Sequence, residues 1–340
     1  NVLAGQTYQN FITKGLSGSA TDMLSDITNS YNLASSRTPG IPASSYNKSV
    51  LLSYLGRINY SYNDMVLLTG SLRADGASKY SAGEKWGYFP SFAVALKIKE
   101  MVLENVDAVS DLKLRGSWGK TGSQAINAYA TMNLLQAGAT IFGSDTRTVT
   151  LAPGNSLPFQ LKWESTAQLD FGIDASFIEG RFRFVADFYR KVTTNLLSIV
   201  SLPTSTGYAS SLQNIGAMEN KGVEFSIEAN LIKNRAVNWN VSGNISFNRN
   251  KIKELYGGKD IITGNFNFGG AQFIDDIVVL RQGQPLGMFY GYEENGYVQG
   301  AHGALSVVTY KDRNNDGIIN VEDKIKIGDP NPDFIYGFST

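Results

Sequence analysis

Apolar and polar side chains alternate strictly over long stretches of this chain. From Val237 to Asn248 the odd positions are Val237, Trp239, Val241, Gly243, Ile245 and Phe247, and the even positions are Asn238, Asn240, Ser242, Asn244, Ser246 and Asn248. A period of two puts the two sets on opposite faces of a β-sheet. The run of about twelve residues is twice the usual soluble strand and matches a tilted strand crossing a bilayer. The same alternation sets Ile58, Leu68, Phe92, Trp118, Ile173, Phe184 and Phe225 against Arg57, Thr69, Lys97, Arg115, Asp174, Arg183 and Glu224. Charges gather almost wholly on the second set. Lipid demands such sorting, because Arg or Lys facing the bilayer centre costs about 2–4 kcal/mol. A polar face then needs water, which points to a lumen rather than to a second packed layer.

Strands are predicted near 2–13, 50–62, 65–75, 86–98, 111–120, 163–177, 181–195, 216–231, 237–250 and 333–340. The connections tend to alternate in length. Residues 14–49, 121–162, 196–215 and 251–332 are long, whereas Asn63-Asp64, Glu179-Gly180 and 232–236 are tight. Outer-membrane barrels have short periplasmic turns and longer extracellular loops, so the tight links, including Lys233–Ala236, are expected at the periplasmic side. The 99–110 link, with Met101, Leu103 and Val106, is predicted to form a short helix at that rim. The fold class predicted is therefore all-β: an antiparallel transmembrane β-barrel portion of about ten strands with long extracellular loops. Trp86, Tyr88, Trp163, Tyr54 and Tyr62 fall near strand ends on the apolar face, where an interfacial aromatic girdle belongs; core packing is the competing reading. The loop aromatics Tyr46, Phe142, Phe159, Tyr208, Phe266, Phe268 and Phe273 are expected to pack the loops on one another.

Composition narrows the function classes. The 340 residues have a formal net charge of zero, which gives no electrostatic footprint for nucleic acid. With no cysteine, a thiol nucleophile, a disulfide framework and cysteine-bound zinc are excluded. The one histidine, His302, lies in a Gly/Ala-rich loop without catalytic partners nearby in the sequence. No window of eighteen consecutive apolar residues predicts a transmembrane helix. The chain opens without a signal-peptide pattern and closes inside a predicted strand, so it is expected to be a piece of a longer protein.

The sharpest local motif is Asp312-Arg-Asn314-Asn-Asp316-Gly317-Ile318-Ile319-Asn320-Val-Glu-Asp323. It fits a twelve-residue calcium loop, with side-chain oxygens at positions 1, 3 and 5, glycine at 6 and a carboxylate at 12. Ile318 would donate its backbone carbonyl and Asn320 would act through water. Asp at position 12 reaches less far than Glu, so the pattern is nearer a dockerin-type loop than a full EF-hand. The predicted metal ligands are Asp312, Asn314, Asp316, Ile318, Asn320 and Asp323 around a structural Ca2+; the competing reading is an Asx-turn-rich loop without an ion.

Distinctive segments occur in order along the chain: Tyr54–Tyr60 (YLGRINY), Leu67–Gly76 (LLTGSLRADG), Trp86–Ser91 (WGYFPS), Asp111–Gly119 (DLKLRGSWG), Leu161–Glu164 (LKWE), Leu212–Gly216 (LQNIG), Glu219–Phe225 (ENKGVEF), Ile245–Lys251 (ISFNRNK) and Gly328–Pro332 (GDPNP). Together they resemble the SusC/RagA-like branch of TonB-dependent outer-membrane transporters. The resemblance covers most of the chain from about residue 50 onward. It implies a 22-stranded barrel with an N-terminal plug in a Gram-negative outer membrane. It also implies a SusD-like surface lipoprotein over the mouth, and TonB-powered uptake of oligosaccharides or peptides. The plug and the TonB-contacting segment are absent from the chain, which would be about half a barrel wall. The implied partners are thus the lipoprotein, TonB, the lipid bilayer and the solute, and no nucleic acid.

Two other classes compete. A soluble carbohydrate-binding β-sandwich with a structural calcium would cover the apolar face with a second sheet. An outer-membrane enzyme would need a base–nucleophile constellation, and none is visible, so the chain is read as not an enzyme. Glu164, Asp170 and Asp174 are expected to pair with Arg73 or Arg115 as a lumenal network.

Overall fold

The structure, a computed structural model, describes all residues except 26, 28, 30, 142–146, 235–236, 269–270 and 300–306; the side chains of 141, 147, 233, 265–268 and 271–276 are likewise outside the description. Nine long strands and a short tenth lie side by side: β1 (Val2–Ser17), β2 (Ala43–Tyr62), β3 (Val66–Ala77), β4 (Trp86–Lys97), β5 (Val109–Ser123), β6 (Glu164–Phe177), β7 (Phe182–Ser201), β8 (Ser210–Lys233), β9 (Asn238–Glu254) and β10 (Ile335–Ser339). Each pairs antiparallel with its neighbour in the chain, and the sheet runs from β1 to β10 in sequence order. The short strand Ser156–Leu157 joins it in parallel to the start of β8. All ten predicted strands are present.

The register shows that the two alternating sets occupy two faces. Residues directly opposite in an antiparallel pair share a face. Ile58 faces Gly70, which faces Phe92, then Trp118 and Leu169. Leu68 joins Tyr60 and Val94, and Phe184 joins Ile227 and Gly243. Phe225 joins Ile245, and Val241 joins Ala229. On the opposite face Arg57 meets Ser71, Arg73 meets Phe89, Arg183 meets Glu228, Glu224 meets Ser246 and Asn244 meets Ser226. The apolar set stays uncovered: Ile58 is 60% exposed, Phe171 53% and Ile227 55%. A sandwich would bury these residues, so the alternative of a soluble two-sheet domain is overturned.

Because strand directions alternate, successive connections lie at opposite ends of the sheet. The links between β2 and β3, β4 and β5, β6 and β7, and β8 and β9 share one end, and residues 18–42, 78–85, 124–163, 202–209 and 255–334 share the other; the longest connections lie at the second end, although the β4–β5 link, 98–108, is longer than 78–85 or 202–209. At the first end, Asn63 (φ 49°) and Asp64 (φ 53°) adopt the left-handed conformation that turns the chain back along the sheet twist. Ile178 (φ 52°), Glu179 (φ 55°) and Gly180 (φ 76°) do the same between β6 and β7. The predicted helix in the 99–110 link is present as Ile98–Val102. Lys99 closes it, its Nζ donating to the carbonyls of Leu103 (2.7 Å) and Val106 (2.8 Å). Residues 235–236 of the link between β8 and β9 lie outside the described residues.

The strands outrun their predicted ends on the long-connection side. β2 begins at Ala43, β7 runs to Ser201 and β8 starts at Ser210, so the connection expected over 196–215 shrinks to 202–209. The alternation hid this extension because a bulge breaks it: the β7–β8 register shifts between Thr193 and Leu196, where Asn195 is left-handed (φ 57°). The long connections also carry small sheets of their own. The largest joins Ile261–Phe268, Ala271–Leu280, Met288–Gly291 and Ile325–Gly328.

One expectation for the girdle is corrected. Trp86, Tyr88, Tyr54 and Tyr62 are exposed on the apolar face, with Trp86 stacked on Tyr54 at 6.1 Å. Trp163 is instead buried with Leu51, Ala77, Tyr80, Phe89, Ile126 and Leu161. It precedes β6, packs at 4.9 Å from Tyr80 and 5.5 Å from Phe89, and donates its indole N–H to Lys85 O (3.1 Å). This cluster ties the loops after β3 and before β6 to the polar face of the wall.

Candidate functional site

On the polar face Arg73 and Arg115 are ion-paired, whereas Arg57, Arg183 and Glu224 share that face with no ion-pair partner among the described residues. Arg115 on β5 reaches across to β6, giving Asp174 two hydrogen bonds of 3.0 and 3.1 Å, and on to Asp187 of β7 at 2.8 Å. Gly172 makes the reach possible: a Cβ there would stand 2.5 Å from Arg115 Cζ and 2.6 Å from Asp187 Oδ1. Arg73 donates to both oxygens of Asp75 at 2.8 Å and to Ser53 Oγ at 3.2 Å. Asp170 accepts from Ser117 (3.2 Å) and Gln168 (2.8 Å). Of the carboxylates expected to pair with Arg73 or Arg115, Asp174 does so. Asp170 takes neutral donors, and Glu164 accepts the backbone N–H of Leu197 at 2.9 Å. Sequence reasoning missed Asp187 and Gly172; the gap that Gly172 leaves between Asp170 and Asp174 in the polar row was the readable signal.

Several hollows lie against this wall. One of about 300 Å³ sits over Thr69, Ala93, Arg115, Ser117, Asp170 and Gly172. Another of about 610 Å³ lies towards the long-connection end, lined by Phe11, Asn47, Ser49, Lys79, Gln124 and Asn127. Between the loops, the Tyr80 hydroxyl donates to Ser123 O at 3.0 Å. Burial, with Glu164 nearby, pushes this phenol above its ordinary pKa and keeps it a donor. The surface is suited to hydrogen-bonding a hydrated solute. It shows no nucleophile beside a general base among the described residues. His302 and Phe142 lie outside the described residues, as do the side chains of Phe266, Phe268 and Phe273. Tyr46 and Phe159 are exposed rather than packed; Tyr208 is half-buried, its hydroxyl donating to Asn133 at 3.4 Å.

The 312–323 loop folds around its own carboxylates. Asp312 accepts the amides of Asp316 (3.3 Å) and Gly317 (2.7 Å), helped by left-handed Asn315 and Gly317. Asp316 accepts the Ile318 amide (2.8 Å), and Asn314 accepts that of Asp316 (3.1 Å). Asn320 caps the short turn Val321–Asp323, accepting the Glu322 amide at 2.8 Å. Asp323 is fully buried and receives the amides of Arg313 (2.7 Å) and Asn320 (2.9 Å). These bonds hold its carboxyl below the usual carboxylate pKa. The donors are all oxygens, which suits a hard cation in kind. Among the described residues no three His, Cys, Asp or Glu side chains are grouped as metal ligands.

Comparison with known proteins agrees with this architecture. Residues 2–329 match the family described as TonB dependent receptor-like, beta-barrel. TonB-dependent receptor P26 of Formosa agariphila is 36% identical over 348 residues, covering 99% of this chain and 35% of that protein. TonB-dependent receptor SusC of Bacteroides thetaiotaomicron is 36% identical over 304 residues, covering 86% of this chain and 30% of its own length. The chain thus spans about a third of the length of the curated relatives it matches. A solved structure described as the RagAB peptide transporter superposes with a TM-score of 0.79 at 24% identity, over 99% of this chain and 37% of the other. A paired, uncovered sheet with sorted faces, matched by the family model over residues 2–329, places this chain in the TonB-dependent receptor β-barrel family.

Proposed function

We propose that the chain is a wall segment of an energy-coupled outer-membrane importer, working with TonB and a SusD-like surface lipoprotein. The reading rests chiefly on the sorted faces: an uncovered apolar surface on one side, and on the other a polar surface that carries charges of both signs over several strands. A wetted wall of mixed charge lets a hydrated solute pass without trapping it. The solute is an oligosaccharide or a peptide; the description of the RagAB structure names a peptide. The chemistry is binding and gating, with no covalent step. The test is uptake of labelled oligosaccharide and peptide mixtures by cells with and without the full-length parent, each with a protonophore added. The reading requires uptake that needs the parent and stops with the protonophore; uptake indifferent to either overturns it.

Calcium belongs to the same proposal as a structural ion in the 312–323 loop, held by Asp312, Asn314, Asp316, the Ile318 carbonyl, Asp323 and, through water, Asn320. The all-oxygen donor set at calcium-loop spacing supports it. Limited proteolysis of the purified full-length transporter, with calcium or with chelator, tests it. Chelation and Asp316→Ala should each open the segment near residue 315 to cleavage and leave the barrel intact. A cleavage pattern indifferent to chelation reduces the motif to a self-closed polar loop.

A further inference from the structure

The outward face of β6–β9 changes character abruptly at one register step. Four successive outward rows carry no charge: Phe177–Phe182–Ala229–Val241, Ala175–Phe184–Ile227–Gly243, Ile173–Ala186–Phe225–Ile245 and Phe171–Phe188–Val223–Phe247. The next row is Leu169–Arg190–Lys221–Arg249, and the one after it places Glu219 opposite Lys251. Lys253 continues the same face of β9. These cations share the face of the lipid-contacting residues, because the pairing continues from Phe247 to Arg249 without a register shift.

Height follows from strand geometry. β9 leaves the short-turn end at Asn238, so Arg249, Lys251 and Lys253 lie towards the long-connection end. Trp239 to Phe247 spans roughly 26 Å along the strand, or about 20 Å of membrane thickness for a strand tilted near 40°. The apolar band of such a barrel is about 25 Å tall. The basic rows therefore begin where hydrocarbon gives way to headgroups of the outer leaflet.

Carboxylates only partly answer these charges. Glu219 accepts Arg190 at 2.6 Å and lies 3.8 Å from Lys253, and Asp333 accepts Arg249 at 2.7 Å. Among the described residues neither Lys221 nor Lys251 has a carboxylate within ion-pair distance, and both are exposed. Five cations thus face two carboxylates on a surface whose neighbour is lipid. On the lumenal face, by contrast, Arg115 is held between two carboxylates.

We propose that Arg190, Lys221, Arg249, Lys251 and Lys253 form a binding surface for the phosphorylated headgroup of an outer-leaflet glycolipid. Arg190 and Arg249 present planar guanidinium donors suited to phosphate oxygens, and the lysines supply mobile ammonium groups beside them. The acyl chains of the same lipid would lie on the Phe188, Val223 and Phe247 row directly below. The proposal rests on the outer-membrane reading of the wall.

The experiment uses the full-length parent in nanodiscs of phosphatidylcholine doped with phosphorylated lipid A, with dephosphorylated lipid A, or with phosphatidylglycerol. Bound lipid is measured by native mass spectrometry. Each lysine near an anionic surface is worth about five-fold in affinity, about 1 kcal/mol. Lys221→Gln with Lys251→Gln should therefore weaken phosphorylated lipid A binding about thirty-fold, with the barrel still inserted. Removing the phosphate from the lipid should cost wild type a similar factor. Equal binding by the double variant, equal binding of the dephosphorylated lipid, or equal binding of phosphatidylglycerol each overturns the proposal. If the protein fails to insert into nanodiscs at all, the membrane-wall reading fails instead, and the two failures are distinct.

Discussion

The wall and the long excursion between β9 and β10 are built on different physics, although they adjoin. In the wall, each side chain is placed by which of two solvents it meets, and few are deeply buried. In the excursion, order depends on a small packed centre of Val279, Met288 and Tyr290. Specific polar locks fasten it to β9. Asn250 accepts the Leu286 amide at 2.6 Å and donates to Asn331 at 2.8 Å, and Asn331 donates in turn to Leu286 O at 2.9 Å. Arg281 lies 5.7 Å over the Tyr290 ring and pairs with Asp260 at 2.6 Å. A wall tolerates substitution that respects the face, whereas a loop sheet depends on individual contacts.

The largest effect should come from putting a charge on the wrong face. Ile245→Arg places a cation among Phe225, Ala186 and Tyr336 on the lipid side, at a cost of about 2–4 kcal/mol. Asn244→Arg, one residue away, points into the lumen beside Ser226 and should cost little. Urea unfolding of the full-length parent refolded into liposomes checks the pair. Equal destabilisation by the two variants would break the two-solvent account.

A smaller and local effect should follow from the excursion's core. Met288, 1% exposed against Val279, would leave a cavity on Met288→Ala, with a loss of about 2–3 kcal/mol to the four-stranded sheet. Hydrogen exchange should speed up over residues 277–291 and 325–328 and stay unchanged in β6–β8. A rise spreading into those wall strands would show that wall and excursion fold as one unit.

This contrast also decides what the sequence could show. Ten strands, their facing and the end at which each connection lies were readable because period-two alternation records a choice between lipid and water at every residue. The extension of β7 and β8 beyond the band was not, because polar strands in water carry no alternation and Asn195 sits in a bulge. Trp163 was misplaced for a related reason: an aromatic beside a strand end suits a girdle and a packed cluster equally, and only the Tyr80–Phe89 pocket distinguishes them. Arg115 and Asp174 could be paired by type, but their third partner, Asp187, depends on a register across β6 and β7 that composition does not encode. The calcium-loop spacing was legible residue by residue, whereas the use of its carboxylates as amide acceptors depends on backbone turns.

The last and smallest effect concerns Asp323, where the excursion's reliance on single contacts can be read by pH. Its carboxylate accepts two backbone amides, and its folded pKa lies below the ordinary value. A depressed carboxylate lends stability that is complete above its unfolded pKa, about 4, and is lost as pH falls through the lower folded value. The 312–323 loop should therefore stay closed at neutral pH and begin to open below about pH 4. The Arg313 and Asn320 amides report it directly, since protonation removes their acceptor. Their hydrogen-exchange protection, corrected for intrinsic rates, should hold above about pH 4 and fall as the pH drops below it through the depressed folded pKa. Wall amides of β6 and β7, bonded strand to strand, should keep theirs over the same range. Asp323→Asn, which keeps an acceptor but no titrating group, should flatten the dependence. Acid loss that persists in Asp323→Asn would take the pH response away from Asp323 and break this reading of the loop.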